Sequence, residues 1–136
     1  MVGYAYERCT ELNFDMKAPL DAVSPDVLQF GYGFRIVPVD DDKVSITINV
    51  DYFIDKKPVF SHGSEHIFKF LDRSVAFDFM EDGYRDKVGM MPLLLGLAYN
   101  TARGMIAMRA VGTALVSFPI PIINPTEALK RAGKQQ

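Results

Sequence analysis

The chain has 136 residues, of which 49% are hydrophobic and 24% are charged, and it contains a single cysteine, Cys9. This length and composition indicate one folded domain over residues 1–136 and exclude a disordered polymer, a disulfide-stapled fold and a multi-cysteine zinc cage. Lys and Arg number 15 against 17 Asp and Glu, a net charge of -2, which argues against a nucleic-acid partner.

Alternating apolar residues predict four strands in the first half of the chain. They cover about residues 8–16, 27–37, 43–54 and 59–71. In the first strand the more apolar face carries Leu12, Phe14 and Met16. The second and third strands each have one clear apolar face, formed by Leu28, Phe30, Tyr32, Phe34 and Ile36 and by Val44, Ile46, Ile48, Val50, Tyr52 and Ile54. Short turns separate the strands, so we expect them to pair in sequence as an antiparallel meander.

A helical pattern follows in the second half. Apolar residues at spacings of three and four predict a main helix from about Met91 to Ala110, with Pro92 in its first turn and Gly112 after its end. This helix would cover the apolar face of the sheet. Residues 73–83 alternate like a strand before turn residues, which favours an extension of the sheet, and a short helix is expected at 126–131. The predicted fold class is therefore α+β.

The chain contains three informative segments: Leu12–Pro19, Tyr99–Ile106 with Arg109–Thr113, and Phe118–Pro125. Together they resemble the SecB-type protein-export chaperone family, and the resemblance covers most of the chain. Leu12–Pro19 is similar to the family's first strand and its exit before a proline. Tyr99–Ile106, followed by Arg109–Thr113, resembles the late helix and its closing turn, and Phe118–Pro125 looks like the extended segment before the C-terminal helix. The long segment 71–90 fits a divergent member, since the family includes members attached to toxin and antitoxin systems.

This resemblance implies a chaperone that binds apolar segments of unfolded polypeptides or preproteins, without catalysis or a cofactor, as a homo-oligomer. The candidate peptide-binding residues are the aromatic and methionine side chains that cannot all be core: Phe30, Tyr32, Phe34, Phe53, Phe77, Phe79, Met90 and Met91. Burial beneath the helix is the favoured alternative for the second-strand stripe, whereas Phe53 lies on an otherwise polar face. An exposed apolar patch would also suit a contact between subunits.

The resemblance also implies a docking surface for the export motor, whose zinc-bearing tail binds an acidic sheet surface in the family. Glu11 and Asp15 are the candidate partner-docking residues, because they lie on the matching first strand. An alternative function on the same fold is a dedicated interaction module, an adaptor or a toxin-antitoxin associated protein that binds one partner.

Other reactive side chains give weaker signals. His62 and His66 are four residues apart on a predicted strand, about 13 Å, which is too far to share a metal ion. No nucleophile motif surrounds Cys9, and Arg103 suits a structural role within its helix. We therefore expect no enzymatic activity and no metal. The N-terminal sequence lacks a signal peptide pattern, and no run of about 18 apolar residues is present, so we expect a soluble, cytoplasmic protein without membrane insertion.

Overall fold

The computed structural model describes residues 2–17, 27–111 and 119–134. In chain order the elements are β1 (Tyr4–Met16), β2 (Gln29–Val39), β3 (Lys43–Ile54), β4 (Lys57–Phe70), α1 (Arg73–Ala76), β5 (Phe77–Met80), β6 (Gly83–Asp86), α2 (Met91–Ala110) and α3 (Pro125–Lys134). The predicted α+β class and the extent of the main helix are confirmed. The predicted exit of the first strand at Pro19 and the predicted helix end at Gly112 lie outside the described residues.

β1 to β4 form an antiparallel sheet in the order β1-β4-β3-β2. β2, β3 and β4 pair in sequence as predicted, because tight turns join them; Asp40, Asp55 and Lys56 adopt the positive φ angles (52°, 50° and 66°) of these turns. The prediction of sequential pairing is wrong for β1, which pairs with β4 instead of β2. β4 is therefore a central strand, and β1 and β2 are the two edges of the sheet.

Two irregularities in β1 change which of its residues face the core. The pairing with β4 shifts register at Glu7 and again at Leu12. Each extra residue inverts the alternation of faces, so Glu11 and Phe14 point to the same side of the sheet although their spacing is odd. Leu12 is exposed, and the prediction that it shares an apolar face with Phe14 is wrong for this reason.

The core lies between α2 and one face of the sheet. The buried residues of α2 are Met91, Leu94, Leu95, Ala98, Tyr99, Ala102, Ile106 and Ala110, and they share the core cluster with Val44, Ile46, Ile48 and Val50 of β3. α2 begins where predicted because the Asp86 carboxylate accepts hydrogen bonds from the backbone amides of Met90 (2.9 Å) and Met91 (2.7 Å). Within the described ranges, no helix is both long enough and apolar enough to cross a membrane.

The prediction that residues 73–83 extend the main sheet is wrong, because residues 72–90 lie outside it. They form α1 and a separate two-stranded hairpin of β5 and β6. The Arg73 guanidinium ties this unit to the β2–β3 turn by donating to the carbonyl oxygens of Asp40 (3.0 Å) and Lys43 (2.7 Å). The same guanidinium lies 5.1 Å from the ring centroid of Phe79. These contacts set the hairpin at a defined place beside the sheet.

The segment before α3 is attached to α2 by hydrogen bonds. The Tyr99 hydroxyl donates to the carbonyl oxygen of Pro121 (2.6 Å), and Arg103 Nε donates to that of Ile120 (3.1 Å). The structural role predicted for Arg103 is therefore confirmed. These bonds place α3 so that Ala128 is buried against the core.

Candidate polypeptide-binding groove

Three of the predicted peptide-binding residues are core residues. Phe77, Met90 and Met91 have relative exposures of 2%, 9% and 1%. Phe77 packs edge-on against Phe70 of β4, with ring centroids 5.7 Å apart. Their side chains therefore offer almost no surface to a client within this chain, which corrects the expectation that they line a groove.

Phe53 lies apart from the other predicted residues. It pairs with Gln29 and points to the sheet face opposite α2. A Cβ built on Gly31 would lie 3.2 Å from Cε2 of Phe53, so the ring covers the backbone of β2 on that face. Phe53 and the second-strand aromatics are thus on different sides of the sheet.

The remaining aromatics lie beside a groove, called here the β2 groove, at the edge of the sheet. Its walls are β2, the β5–β6 hairpin and α3. A larger section of about 670 Å³ is lined by Phe34, Arg35, Ile36, Met80, Asp82, Gly83, Tyr84, Asp86, Leu129 and Ala132. A smaller section of about 300 Å³ is lined by Tyr32, Gly33, Phe34, Ala128, Arg131 and Ala132. Phe34 and Ala132 border both sections, so the two form neighbouring parts of one surface.

Aromatic packing holds the walls of this groove. Phe30 stacks beside Tyr32 with ring centroids 5.9 Å apart, and Tyr32 in turn contacts Tyr99 of α2 at 5.7 Å. On the hairpin, Phe79 packs behind Tyr84 at 5.9 Å. Phe30 and Phe79 therefore support the lining residues rather than line the groove themselves.

The groove combines aromatic and aliphatic side chains with the charged residues Arg35, Asp82, Asp86 and Arg131. Burial, with a smaller contribution from the Asp86 charge, raises the pKa of the Tyr84 hydroxyl, and burial raises the pKa of Tyr99 to about 12. These shifts move both hydroxyls further from ionisation, although a tyrosine hydroxyl with its ordinary pKa of about 10 is already neutral at pH 7. Among the described residues, no three His, Cys, Asp or Glu side chains come close enough together to hold a metal ion.

The residues that sequence reasoning missed come from the hairpin and from α3. Met80, Tyr84 and Leu129 line the groove but belong to no strand of the main sheet. Phe79 and Tyr84, on either side of the turn at residues 81–82, are the sequence signal for this wall of the groove. A two-stranded hairpin is stable only when its apolar side chains pack on another surface.

The two predicted docking residues do not form a common acidic surface. Because of the register shift at Leu12, Glu11 faces α2 whereas Asp15 faces the opposite side of the sheet. Glu11 is also engaged within the chain: it forms a two-point ion pair with Arg109 of α2, and its Oε1 lies 3.1 Å from Nε2 of the buried His62. The Arg109 guanidinium accordingly holds the pKa of Glu11 below its ordinary value.

The two histidines of β4 lie in the core beneath α2. His66 Nε2 is 2.8 Å from Ser64 Oγ, and its Nδ1 bonds the Tyr6 hydroxyl. Burial lowers the pKa of both histidines, and that of His66 reaches about 4. They are therefore neutral structural residues at physiological pH.

Comparison with known proteins supports this description of the fold. No family model matches the sequence, and a search of curated proteins finds no relative. Among solved structures, the chain is similar to the SecB-like chaperone Rv1957 of Mycobacterium tuberculosis, solved in complex with a ChAD peptide from the Rv1956 HigA1 antitoxin. The TM-score is 0.51 at 12% sequence identity, over 88% of this chain and 89% of that chain. The chain therefore has a SecB-like fold.

Proposed function

We propose that this protein is a chaperone that holds exposed apolar segments of unfolded polypeptides in the β2 groove, without catalysis. The observation that carries the proposal is the groove itself, whose walls present Tyr32, Phe34, Ile36, Tyr84 and Leu129 beside one another. The structural similarity to a SecB-like chaperone solved with a bound peptide supports the same function. The proposal includes action in the cytoplasm and assembly into a homo-oligomer.

The energy available in such a groove suits transient capture. Covering about 400 Å² of apolar surface at roughly 25 cal/mol per Å² gives about 10 kcal/mol before ordering costs. Loss of translational, side-chain and backbone freedom offsets a large part of this gain, which leaves moderate affinity. Met80 at the rim adds a flexible side chain that adapts to different client shapes.

The test is suppression of aggregation. Reduced α-lactalbumin, which aggregates when its disulfides are broken, is mixed with the protein at stoichiometric ratios, and light scattering is followed. We expect scattering to fall in proportion to added protein. Unchanged scattering across these ratios would contradict the proposal.

A matched pair of variants locates the activity. Phe34→Ser removes an aromatic ring that borders both sections of the groove, and we expect it to weaken suppression. Met108→Ser removes an apolar side chain that is 80% exposed on α2 and is not part of the groove, and we expect wild-type suppression. Thermal unfolding confirms that each variant is folded. Equal suppression by both variants would contradict placement of the client in the groove.

A second candidate function is binding of one dedicated protein partner, such as an antitoxin-like segment. It is favoured by the similar SecB-like chaperone, whose bound peptide comes from an antitoxin. Its signature is a single tight complex that depends on the partner's sequence, together with no effect on aggregation of reduced α-lactalbumin. The docking of an export motor gains no support, since Glu11 and Asp15 lie on opposite faces.

A further inference from the structure

The connector before α3, residues 119–124, is held by side chains of the core. It contains Pro119 and Pro121, which have no backbone amide to donate. Ile120 between them is buried, at 6% exposure, whereas both prolines are exposed. The Ile120 side chain therefore anchors the connector in the core, and the backbone carbonyl oxygens around it are available as hydrogen-bond acceptors.

Three donors bond the carbonyl oxygens of three consecutive connector residues. The donors are the Tyr52 hydroxyl, Arg103 Nε and the Tyr99 hydroxyl, which bond residues 119, 120 and 121 at 3.2, 3.1 and 2.6 Å, respectively. Tyr52 belongs to β3, and Tyr99 and Arg103 belong to α2. These three residues, called here the connector clip, therefore tie the connector to both layers of the core.

The rings of the two clip tyrosines also contact the β2 wall of the groove. The Tyr99 ring lies 5.7 Å from that of Tyr32, and the Tyr52 ring lies 5.6 Å from that of Phe30, measured between centroids. Tyr99 and Tyr52 are both buried, at 1% and 5% exposure. Because a close-packed ring cannot move alone, each tyrosine fixes the connector relative to β2.

The position of α3 follows from the position of the connector. Among the α3 side chains at positions 125–132, only Ala128 is buried. Asn124, the last connector residue, accepts a hydrogen bond from the Glu127 amide through Oδ1 (3.2 Å) and one from the Ala128 amide through its carbonyl oxygen (3.0 Å). The first turn of α3 is therefore bonded to the connector, while the helix has little core contact of its own.

A glycine of α2 gives α3 a second point of contact. A Cβ built on Gly96 would lie 3.3 Å from Cγ of Pro125, the first residue of α3, so any side chain at position 96 would press on α3. Alanine is more favourable than glycine inside a helix. Gly96 therefore allows a close approach of the two helices that a better helix former would disturb.

The walls related by the clip differ in the size of their side chains. In the smaller section of the groove, α3 contributes Ala128 and Ala132, and β2 contributes Tyr32 and Phe34. Small residues across from aromatic rings leave space for a large apolar side chain of a client. That space has a constant width only if α3 is held at a constant distance from β2.

We propose that Tyr52, Tyr99 and Arg103 are positioning residues of the β2 groove, which hold α3 at the distance from β2 that suits large apolar side chains. A wall fixed in advance does not have to be ordered when the client binds, so more of the contact energy contributes to affinity. The clip thereby sets the preference of the groove for large over small apolar side chains. This inference rests on the proposed function and specifies which residues set its selectivity.

The first test measures how firmly α3 is held, by residue-resolved amide exchange in NMR. Tyr99→Phe removes one clip hydroxyl and keeps the ring beside Tyr32. Tyr4→Phe, the matched control, removes a hydroxyl from an exposed residue of β1 that does not line the groove. We expect the α3 amides of Tyr99→Phe to exchange about fivefold faster than in the wild-type protein, with the β3 amides unchanged. Tyr4→Phe should leave both sets unchanged.

The second test measures selectivity by calorimetry. The probes are two blocked nine-residue peptides that differ only in carrying Phe or Val at two positions. We expect the wild-type protein to bind the Phe peptide about tenfold more tightly than the Val peptide. In Tyr99→Phe this ratio should fall to about threefold, because the displaced wall loses contacts that only the larger side chain makes. A general loss of folded protein would lower both affinities by the same factor and leave the ratio unchanged.

A second pair of variants shifts α3 without removing a hydrogen bond. Gly96→Ala presses on Pro125, whereas Gly104→Ala places the same methyl group where no atom lies within 4 Å. Both alanines favour the helical conformation of α2. We expect Gly96→Ala to lower the Phe-to-Val ratio and Gly104→Ala to leave it unchanged, although neither change weakens the helix.

The outcomes separate this inference from the proposed function. Unchanged exchange of the α3 amides in Tyr99→Phe would overturn the positioning role of the clip. Faster exchange with an unchanged Phe-to-Val ratio would overturn its role in selectivity and leave groove binding intact. Failure of the wild-type protein to bind either peptide or reduced α-lactalbumin would contradict the proposed function itself.

Discussion

The buried His66 makes the stability of this protein sensitive to acid. Its side chain is fully buried and is bonded by Tyr6 and Ser64, and burial lowers the pKa of the imidazole from 6.5 to about 4. Above pH 6.5 the imidazole is neutral in both the folded and the unfolded chain, so it adds no pH dependence. Between pH 6.5 and 4 the unfolded chain binds a proton that the folded chain does not, and the free energy of unfolding therefore falls as pH falls.

The magnitude follows from the difference between the two pKa values. One proton of difference corresponds to a slope of about 1.4 kcal/mol per pH unit. Between pH 7 and pH 4.5, the His66 contribution is a loss of about 2.5 kcal/mol. The pKa of His62 is also lowered by burial, and Glu11 loses its stabilising charge as pH falls through its lowered pKa, so the whole protein loses more than this.

The assay compares urea unfolding of the wild-type protein and His66→Gln at pH 7 and pH 4.5. Glutamine keeps a donor and an acceptor near Tyr6 and Ser64 but does not titrate. We expect the loss of unfolding free energy between the two pH values to be about 2.5 kcal/mol smaller in the variant. The Glu11 contribution is common to both proteins, and the His62 contribution differs only through its charge interaction with His66. Equal losses in the two proteins would refute the reasoning.

Three further predictions concern the helix and the hairpin. Leu95→Ala removes a fully buried side chain and is expected to lower the free energy of unfolding by about 2–5 kcal/mol. Leu93→Ala, at a position 50% exposed on the same helix, should lower it by less than about 1 kcal/mol. Urea unfolding of both variants measures these losses. Asp86→Ala removes the acceptor for the first amides of α2 and should cost about 1 kcal/mol by the same measurement, and an unchanged midpoint would contradict the cap. Arg73→Met releases the hairpin from the β2–β3 turn and should weaken binding of reduced α-lactalbumin roughly fivefold, as measured by calorimetry. The midpoint of urea unfolding should change little. Undiminished affinity would show that the client does not contact the hairpin wall of the groove.

The fold was predictable where the side-chain period is unbroken. β2 and β3 were found because Tyr32 and Ile48 each lie within an uninterrupted alternation, and α2 was found because its apolar residues recur at helical spacing. The apolar face of β1 is predicted wrongly because the extra residues Glu7 and Leu12 each reverse the face to which the following side chains point. The two-residue alternation of a strand does not indicate where such an extra residue lies. The pairing of β1 with β4 depends on contacts between residues far apart in sequence, so the pattern within either strand does not predict it.

The candidate site was predictable only in part, for a related reason. Phe30, Tyr32 and Phe34 were recognised from their strand, but the opposite walls of the groove come from residues distant in sequence. Whether Met91 faces a client or the core depends on the position of α2 over the sheet, and the helical period alone fits both. Tyr84 and Leu129 lie opposite β2 because tertiary packing brings the hairpin and α3 beside that strand.

The most direct test of the central claim is photocrosslinking from inside the β2 groove. The photoreactive residue benzoylphenylalanine replaces Phe34 in one protein and Met108 in another, and each is illuminated with reduced α-lactalbumin. The account predicts a strong covalent adduct from position 34 and little from position 108, because the client lies against β2. A strong adduct from position 108 with none from position 34, in folded proteins that both suppress aggregation, would contradict it.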